Sequence, residues 1–144
     1  VRTLQSGWNS PLGHLWQSHV VDYLRIWADE DGESHFEDVT LDRVVNPAER
    51  GVAELWVSPG VDVDRVQFLT VQAVDQVPAA HNAPRRQFVV FLDGWVRITT
   101  SDGETRTLPA GSVVLAEDEH GKGHVTELEP GVRRVLQIPL DPFD

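Results

Sequence analysis

The sequence predicts an all-β domain, an antiparallel sandwich or barrel built from short strands. Three observations carry this reading. Apolar and β-branched runs recur along the chain, Gly, Pro, Asp and Ser close each of them, and helix signals are confined to two short stretches. At 144 residues the chain suits one domain with a real core. We expect a barrel over residues 20–139, an arm over 1–19 and a tail over 140–144.

The elements follow in order. Residues 8–19, with Trp8, Leu12, Leu15 and Trp16, read as a short helix or an extended arm. Residues 20–27 are β-branched and aromatic and stop at an Asp-rich turn over 28–32. Residues 35–41 alternate with a period of two, so a hairpin is the simplest account of both. In 46–52, Asn46 as N-cap and Pro47 at the first helical position predict one helical turn. Extended runs are then expected at 54–57, 66–74, 87–92, 95–100, 105–108, 112–116, 123–127 and 133–139. The dividing turns are Ser58-Pro59-Gly60, Asp93-Gly94, Asp102-Gly103 and Pro109-Ala110-Gly111.

Composition removes several function classes. The chain has no cysteine, so a disulfide, a thiolate metal site and a thiol nucleophile are all excluded. Its acidic residues outnumber its basic ones 23 to 12, a formal net charge of −11. That field repels phosphate backbones and anionic membranes, so neither nucleic acid nor membrane is an expected partner. No apolar run approaches the roughly 20 residues that span a bilayer. Residues 1–11 lack the basic end and apolar run of a signal peptide, and the chain reads as cytoplasmic. A glycine-rich phosphate loop, a Gly-x-Ser-x-Gly elbow and a His-Glu-x-x-His pair are absent. Glu117 and Asp118 are neighbours whose side chains point apart in a strand, which argues against a glycosidase-type carboxylate pair.

The residues from His81 to His124 then resemble the cupins. In the first cupin motif, His81 stands at the first histidine, Ala83 at the second, and Gln87 at the glutamate, seven residues before Gly94. In the second, Gly111 fits, Glu117 replaces the usual proline, and His124 comes about two residues late, after Gly121-Lys122-Gly123. Further phrases, Gly32-Glu33-Ser34-His35-Phe36, His81-x-Ala83-Pro84-Arg85-Arg86-Gln87, Ser101-Asp102-Gly103-Glu104 and Leu115-Ala116-Glu117-Asp118, are similar to a subgroup of small, largely uncharacterised cupin-domain proteins. The resemblance implies a cupin-type antiparallel β-barrel, or jelly roll, with an N-terminal arm and little helix. It also implies a site inside the barrel.

Under that resemblance His81, Gln87 and His124 would hold a divalent ion such as zinc, iron, nickel or manganese. The set is neutral, and Ala83 and Gln87 stand where stronger ligands are usual. The catalytic candidates are His124, His35, Lys122 and Asp118: two imidazoles, a cation for an anionic substrate group, and a base. The substrate-binding candidates are Arg85, placed by alternation on the side of Gln87, then Gln87 itself, Trp95 and Phe91. Each residue has a structural reading beside the chemical one. His35 could end a strand in a hydrogen bond, His81 could sit in a plain loop, Gln87 could cap the barrel mouth, and Lys122 could pair with a surface carboxylate.

Trp8, Trp16 and Trp27 suggest an arm that covers apolar surface, and the resemblance makes a second subunit the expected cover, hence a homodimer. Three functions follow from the sequence. One is an enzyme acting on a small carbonyl- or carboxylate-bearing molecule by metal-assisted or acid/base chemistry, as an isomerase, cyclase, decarboxylase or dehydratase. The others are a metal-dependent dioxygenase and a small-molecule-binding barrel without turnover.

Overall fold

The structure is a computed structural model in which residues 21–75 and 78–142 are described. The arm and its Trp8 and Trp16 lie outside them. Among the described residues every regular element is a strand: β1 (Tyr23–Ala28), β2 (Ser34–Val39), β3 (Val44–Asn46), β4 (Leu55–Val57), β5 (Gln67–Ala73), β6 (Gln87–Phe91), β7 (Val96–Thr100), β8 (Thr105–Leu108), β9 (Val113–Ala116), β10 (His124–Leu128) and β11 (Gly131–Pro139). Among the described residues no helix is long and apolar enough to cross a membrane. The described residues divide into two compact units, one holding residues 23–38, 62–75 and 78–142, the other residues 21–22 and 39–61.

The larger unit has a six-stranded sheet in the order β2-β1-β9-β6-β11-β5 and a three-stranded sheet in the order β10-β7-β8. Alternation decides which side chains enter the core. On β7, Val96, Ile98 and Thr100 are buried, and Arg97 and Thr99 between them are partly open. Leu24 and Ile26 of β1, Phe91 of β6, Val114 of β9 and Val135 of β11 meet Val96 and Ile98 in one cluster, so the two sheets face each other across it. Tyr23 and Phe88, on the opposite face of the large sheet, meet edge to face with ring centroids 5.1 Å apart.

Strand pairing departs from the antiparallel expectation at one place, where β1 runs parallel to β9 with Leu24, Arg25 and Ile26 opposite Val114, Leu115 and Ala116. A parallel pair needs a long connection, and these strands are far apart in the sequence. Among the described residues pairing does not close the two sheets into one barrel. The expected hairpin of β1 and β2 is present. The Asp29 carboxylate accepts from the amides of Asp31 and Glu33 (2.9 and 3.0 Å), which fixes the turn locally.

In the smaller unit β3 pairs with β4, Val44 opposite Val57 and Asn46 opposite Leu55. The predicted helical turn over 46–52 is therefore corrected to a hairpin connection. Glu49 and Val52 exchange both backbone bonds (3.0 and 2.8 Å) around Arg50 and Gly51, which have positive φ. Pairing of the flanking strands outweighs the Asn-Pro cap signal. In the same unit Asp22 accepts from Arg43 and from the Leu41 amide, and the Arg43 bond holds its carboxyl below the usual range.

Candidate functional site

The site forms where three segments of the larger unit are stitched together by backbone bonds. β9 ends at Ala116, the chain turns through Glu117–Gly123, and His124 opens β10. Residues 81–83 run beside both ends of that turn. The amides and carbonyls of His81 and His124 bond reciprocally at 3.0 and 2.9 Å, and the Ala83 amide donates to the Asp118 carbonyl at 3.1 Å. Asn82 adds a side-chain amide, which donates to the carbonyls of Asp118 (3.3 Å) and Gly121 (3.1 Å).

This stitching sets Asp118 against His124. Asp118 Oδ2 lies 2.6 Å from His124 Nδ1, and their side chains are 0% and 7% exposed. A carboxylate facing Nδ1 makes that nitrogen the donor, so the ring is oriented and Nε2 is left for other work. The second carboxylate oxygen, Oδ1, is buried without a hydrogen-bond partner among the described residues. Beside the pair stands His81, its ring centroid 4.7 Å from that of His124 and its planes tilted by 55°. His81 is exposed. The three side chains thus run from solvent to a buried carboxylate.

Glu117 and Asp118 do point apart. On the far side from His124, Glu117 accepts from Arg25 Nε and, at 2.8 Å, from Arg86 Nε. Arg25 continues to Glu37 at 3.1 Å. Burial pushes the Glu117 carboxyl up, but the two guanidinium bonds outweigh it and hold the group below the usual carboxylate range. A depressed carboxyl adds stability above the unfolded value of about 4.3, and that contribution is lost as pH falls through the folded value. Urea midpoints of the native protein should therefore drop between about pH 4.3 and more acid values, more steeply than those of Glu117→Gln. Parallel curves for the two proteins would show that the clamp contributes nothing.

Two catalytic candidates from the sequence lie outside this group. His35 is held between Asp29 (Nε2 to Oδ2, 2.7 Å) and Asp102 (Nδ1 to Oδ2, 3.0 Å), against the Trp27 ring at 4.9 Å. Lys122, its side chain 63% exposed, pairs with Glu33 at 2.9 Å. Both ring nitrogens of His35 and the ammonium of Lys122 are already engaged. Gln87 is buried at the His124 end of the sheet, on an inward row with Ala116 and Pro139. Arg85 is half-buried just before it, with Nε and Nη1 enclosed. Phe91 belongs to the core cluster. Trp95 lies at the opposite end of the β7–β10 pair from His124, which faces Thr100. There it lines a cleft of about 410 Å³ with Arg97, whose guanidinium sits 5.0 Å from its ring.

Sequence reasoning missed Arg86 and Arg25 as the Glu117 clamp, and it missed Ser34. Ser34 is fully buried, and its hydroxyl donates to the Gly123 carbonyl (2.7 Å) and accepts from the Ser101 amide (2.8 Å). Ser34→Ala leaves both groups short of a partner and should cost about 1–3 kcal/mol in urea denaturation. A loss within 0.3 kcal/mol, on the order of measurement error, would mean the turns are held without it.

As a metal centre the expected set is thin. His124 Nδ1 is taken by Asp118, which leaves two imidazole nitrogens and the neutral Gln87 amide. Among the described residues no group of three or more His, Asp or Glu side chains is arranged to hold a metal ion. These donors do not fit the three imidazole or carboxylate ligands of a catalytic divalent site.

No protein-family model matches the chain. No curated protein matches it either. Among solved structures it is similar to the crystal structure of protein NMB1881 from Neisseria meningitidis, with 11% sequence identity and a TM-score of 0.40 over 88% of this chain and 94% of that one.

Proposed function

We propose that this chain is a cupin-like enzyme that acts on a small carbonyl- or carboxylate-bearing molecule by acid/base chemistry of the isomerase, cyclase, decarboxylase or dehydratase type. One observation carries the reading: the buried 2.6 Å contact of Asp118 with His124, beside the exposed ring of His81. A buried carboxylate on Nδ1 fixes the tautomer and the direction of the imidazole. His124 Nε2 then takes a proton from carbon or oxygen next to the substrate carbonyl and returns it elsewhere, a step worth about 10²–10⁴-fold. Asp118 accepts the Nδ1–H bond and steadies the imidazolium. His81 stands at the solvent end, where it exchanges protons with water and contacts the incoming molecule. Arg85 and Gln87, entering β6, supply a cation and an amide for the carboxylate or carbonyl.

A panel of small hydroxy and keto acids tests the site by binding. Ring signals of His81 and His124, followed by NMR, should shift together with at least one member, and His124→Asn should abolish the His81 shift. Compounds that bind without moving either ring would place the ligand elsewhere and sink the reading. A compound that shifts both rings yet is never converted would leave the chain a binding protein.

A further inference from the structure

Three turns of the larger unit meet near the point where His124 enters β10. The β1–β2 turn offers Asp29, Gly32 and Glu33, the β7–β8 turn offers Ser101 and Asp102, and the third segment is Gly121–Gly123. The Gly32 carbonyl accepts from the Lys122 amide at 2.8 Å, and Glu33 takes the Lys122 ammonium (2.9 Å) and the Ser101 hydroxyl (2.7 Å). Ser34 binds both the Ser101 amide and the Gly123 carbonyl. Across the top lies His35, bonded to one carboxylate from each of the two hairpin turns.

We propose that His35 is a protonation-controlled staple: as an imidazolium it ties the β1–β2 turn to the β7–β8 turn, and so fixes the Gly121–Gly123 run that delivers His124. The proposal deepens the acid/base reading only in that the stapled run carries His124.

Proton count decides whether the staple is closed. A neutral imidazole has a single N–H, so it satisfies Asp29 or Asp102 and turns a lone pair toward the other. Only the imidazolium donates to both. The surroundings favour it. Beyond Asp29 and Asp102, the charged groups of the neighbouring elements are Glu30 and Asp31 of the β1–β2 turn, Glu33 with Lys122, Glu37 with Arg25, and Asp38 and Glu104 with Arg106. The Asp29 bond, partly offset by desolvation and helped by Asp102, raises His35 above the usual histidine value. Asp29 is lowered chiefly by the His35 bond, and Asp102 chiefly by the Thr100 hydroxyl, with His35 contributing.

A raised histidine contributes its stabilisation in full below the unfolded value of about 6.5, and loses it as pH rises through the folded value. The lowered carboxylates set the other limit, where acid protonates them. The staple is closed between the two.

Amide exchange reads this without any substrate. The Lys122, Ser34 and Ser101 amides each bond across the turns. After correction for intrinsic exchange, their protection should fall with rising pH by up to about tenfold per unit while the His35 ring titrates by NMR. In His35→Gln the dependence should vanish, with protection held at the native high-pH level, and the Ile98 amide should stay unchanged in both proteins. Protection that stays flat while His35 titrates would overturn the proposal, and so would a pH dependence that survives in His35→Gln. Since turnover is not read, failure of the His124 chemistry would leave this result standing, and the converse holds.

Discussion

Gly121→Ala and Gly123→Ala should each destabilise the protein by about 3–5 kcal/mol in urea denaturation, near the top of the range for single substitutions. Both glycines have positive φ, 87° and 73°. An L side chain there costs about 1–2 kcal/mol before any contact is considered. A Cβ on Gly121 would overlap the Gly32 backbone, and one on Gly123 would overlap the His81 carbonyl. Those partners are backbone atoms fixed by the Lys122–Gly32 and His81–His124 bonds. Relief therefore means breaking one or more bonds worth about 1 kcal/mol each and shifting packed chain. Gly103 is the internal control. Its φ is 96° and a Cβ there meets nothing within 4 Å, so Gly103→Ala should cost only the backbone penalty of about 1–2 kcal/mol. Equal losses at Gly103 and Gly123 would mean that the close approach of residues 81–82 to the β10 entry does not exist in solution.

Asp118→Asn should reduce turnover by about 10²–10⁴-fold and leave the fold in place. The amide keeps the size of the carboxylate but removes the charge that holds Nδ1–H and steadies the imidazolium. Asp118→Ala is a different change. It strands a buried imidazole, so a stability loss of about 3 kcal/mol should accompany the lost activity. If Asp118→Asn instead melts like Asp118→Ala, the carboxylate is mainly a structural anchor for the 81–83 segment. Turnover that survives in Asp118→Asn with the His124 ring still ordered would remove the aspartate from the chemistry.

Most strands were legible in the sequence because alternation and turn residues are local signals. The run expected at 95–100 became β7 over Val96–Thr100, and that at 105–108 became β8 over Thr105–Leu108. Two features were not legible, for physical reasons. β3 is only Val44–Asn46, too short for a period to emerge, and its pairing with β4 arises from tertiary contact. The parallel pairing of β1 with β9 joins segments with no local relation.

The candidate site divides along the same line. His81 and His124 were placed together by motif spacing, and the structure bonds their backbones reciprocally. Asp118 joins them because the turn before β10 folds back on itself. His35 and Lys122 had the right chemistry, yet their destinations depend on which turns meet across the sheets, and a single sequence does not encode that visibly. Alternation places Arg85 on the side of Gln87. It could not show that Arg86 would clamp Glu117 on the other face.

In the proposed reaction His124, oriented by Asp118, moves a proton on a small carbonyl compound. Solvent deuterium reads that step most directly. The protein is incubated in D₂O with the hydroxy and keto acids that shift its histidine rings, and label entering carbon next to the carbonyl is followed by NMR and mass spectrometry. The account predicts incorporation by the native protein that falls by about 10²-fold or more in both His124→Asn and Asp118→Asn. Incorporation at the native rate in His124→Asn, or none in the native protein with compounds that occupy the site, would contradict it.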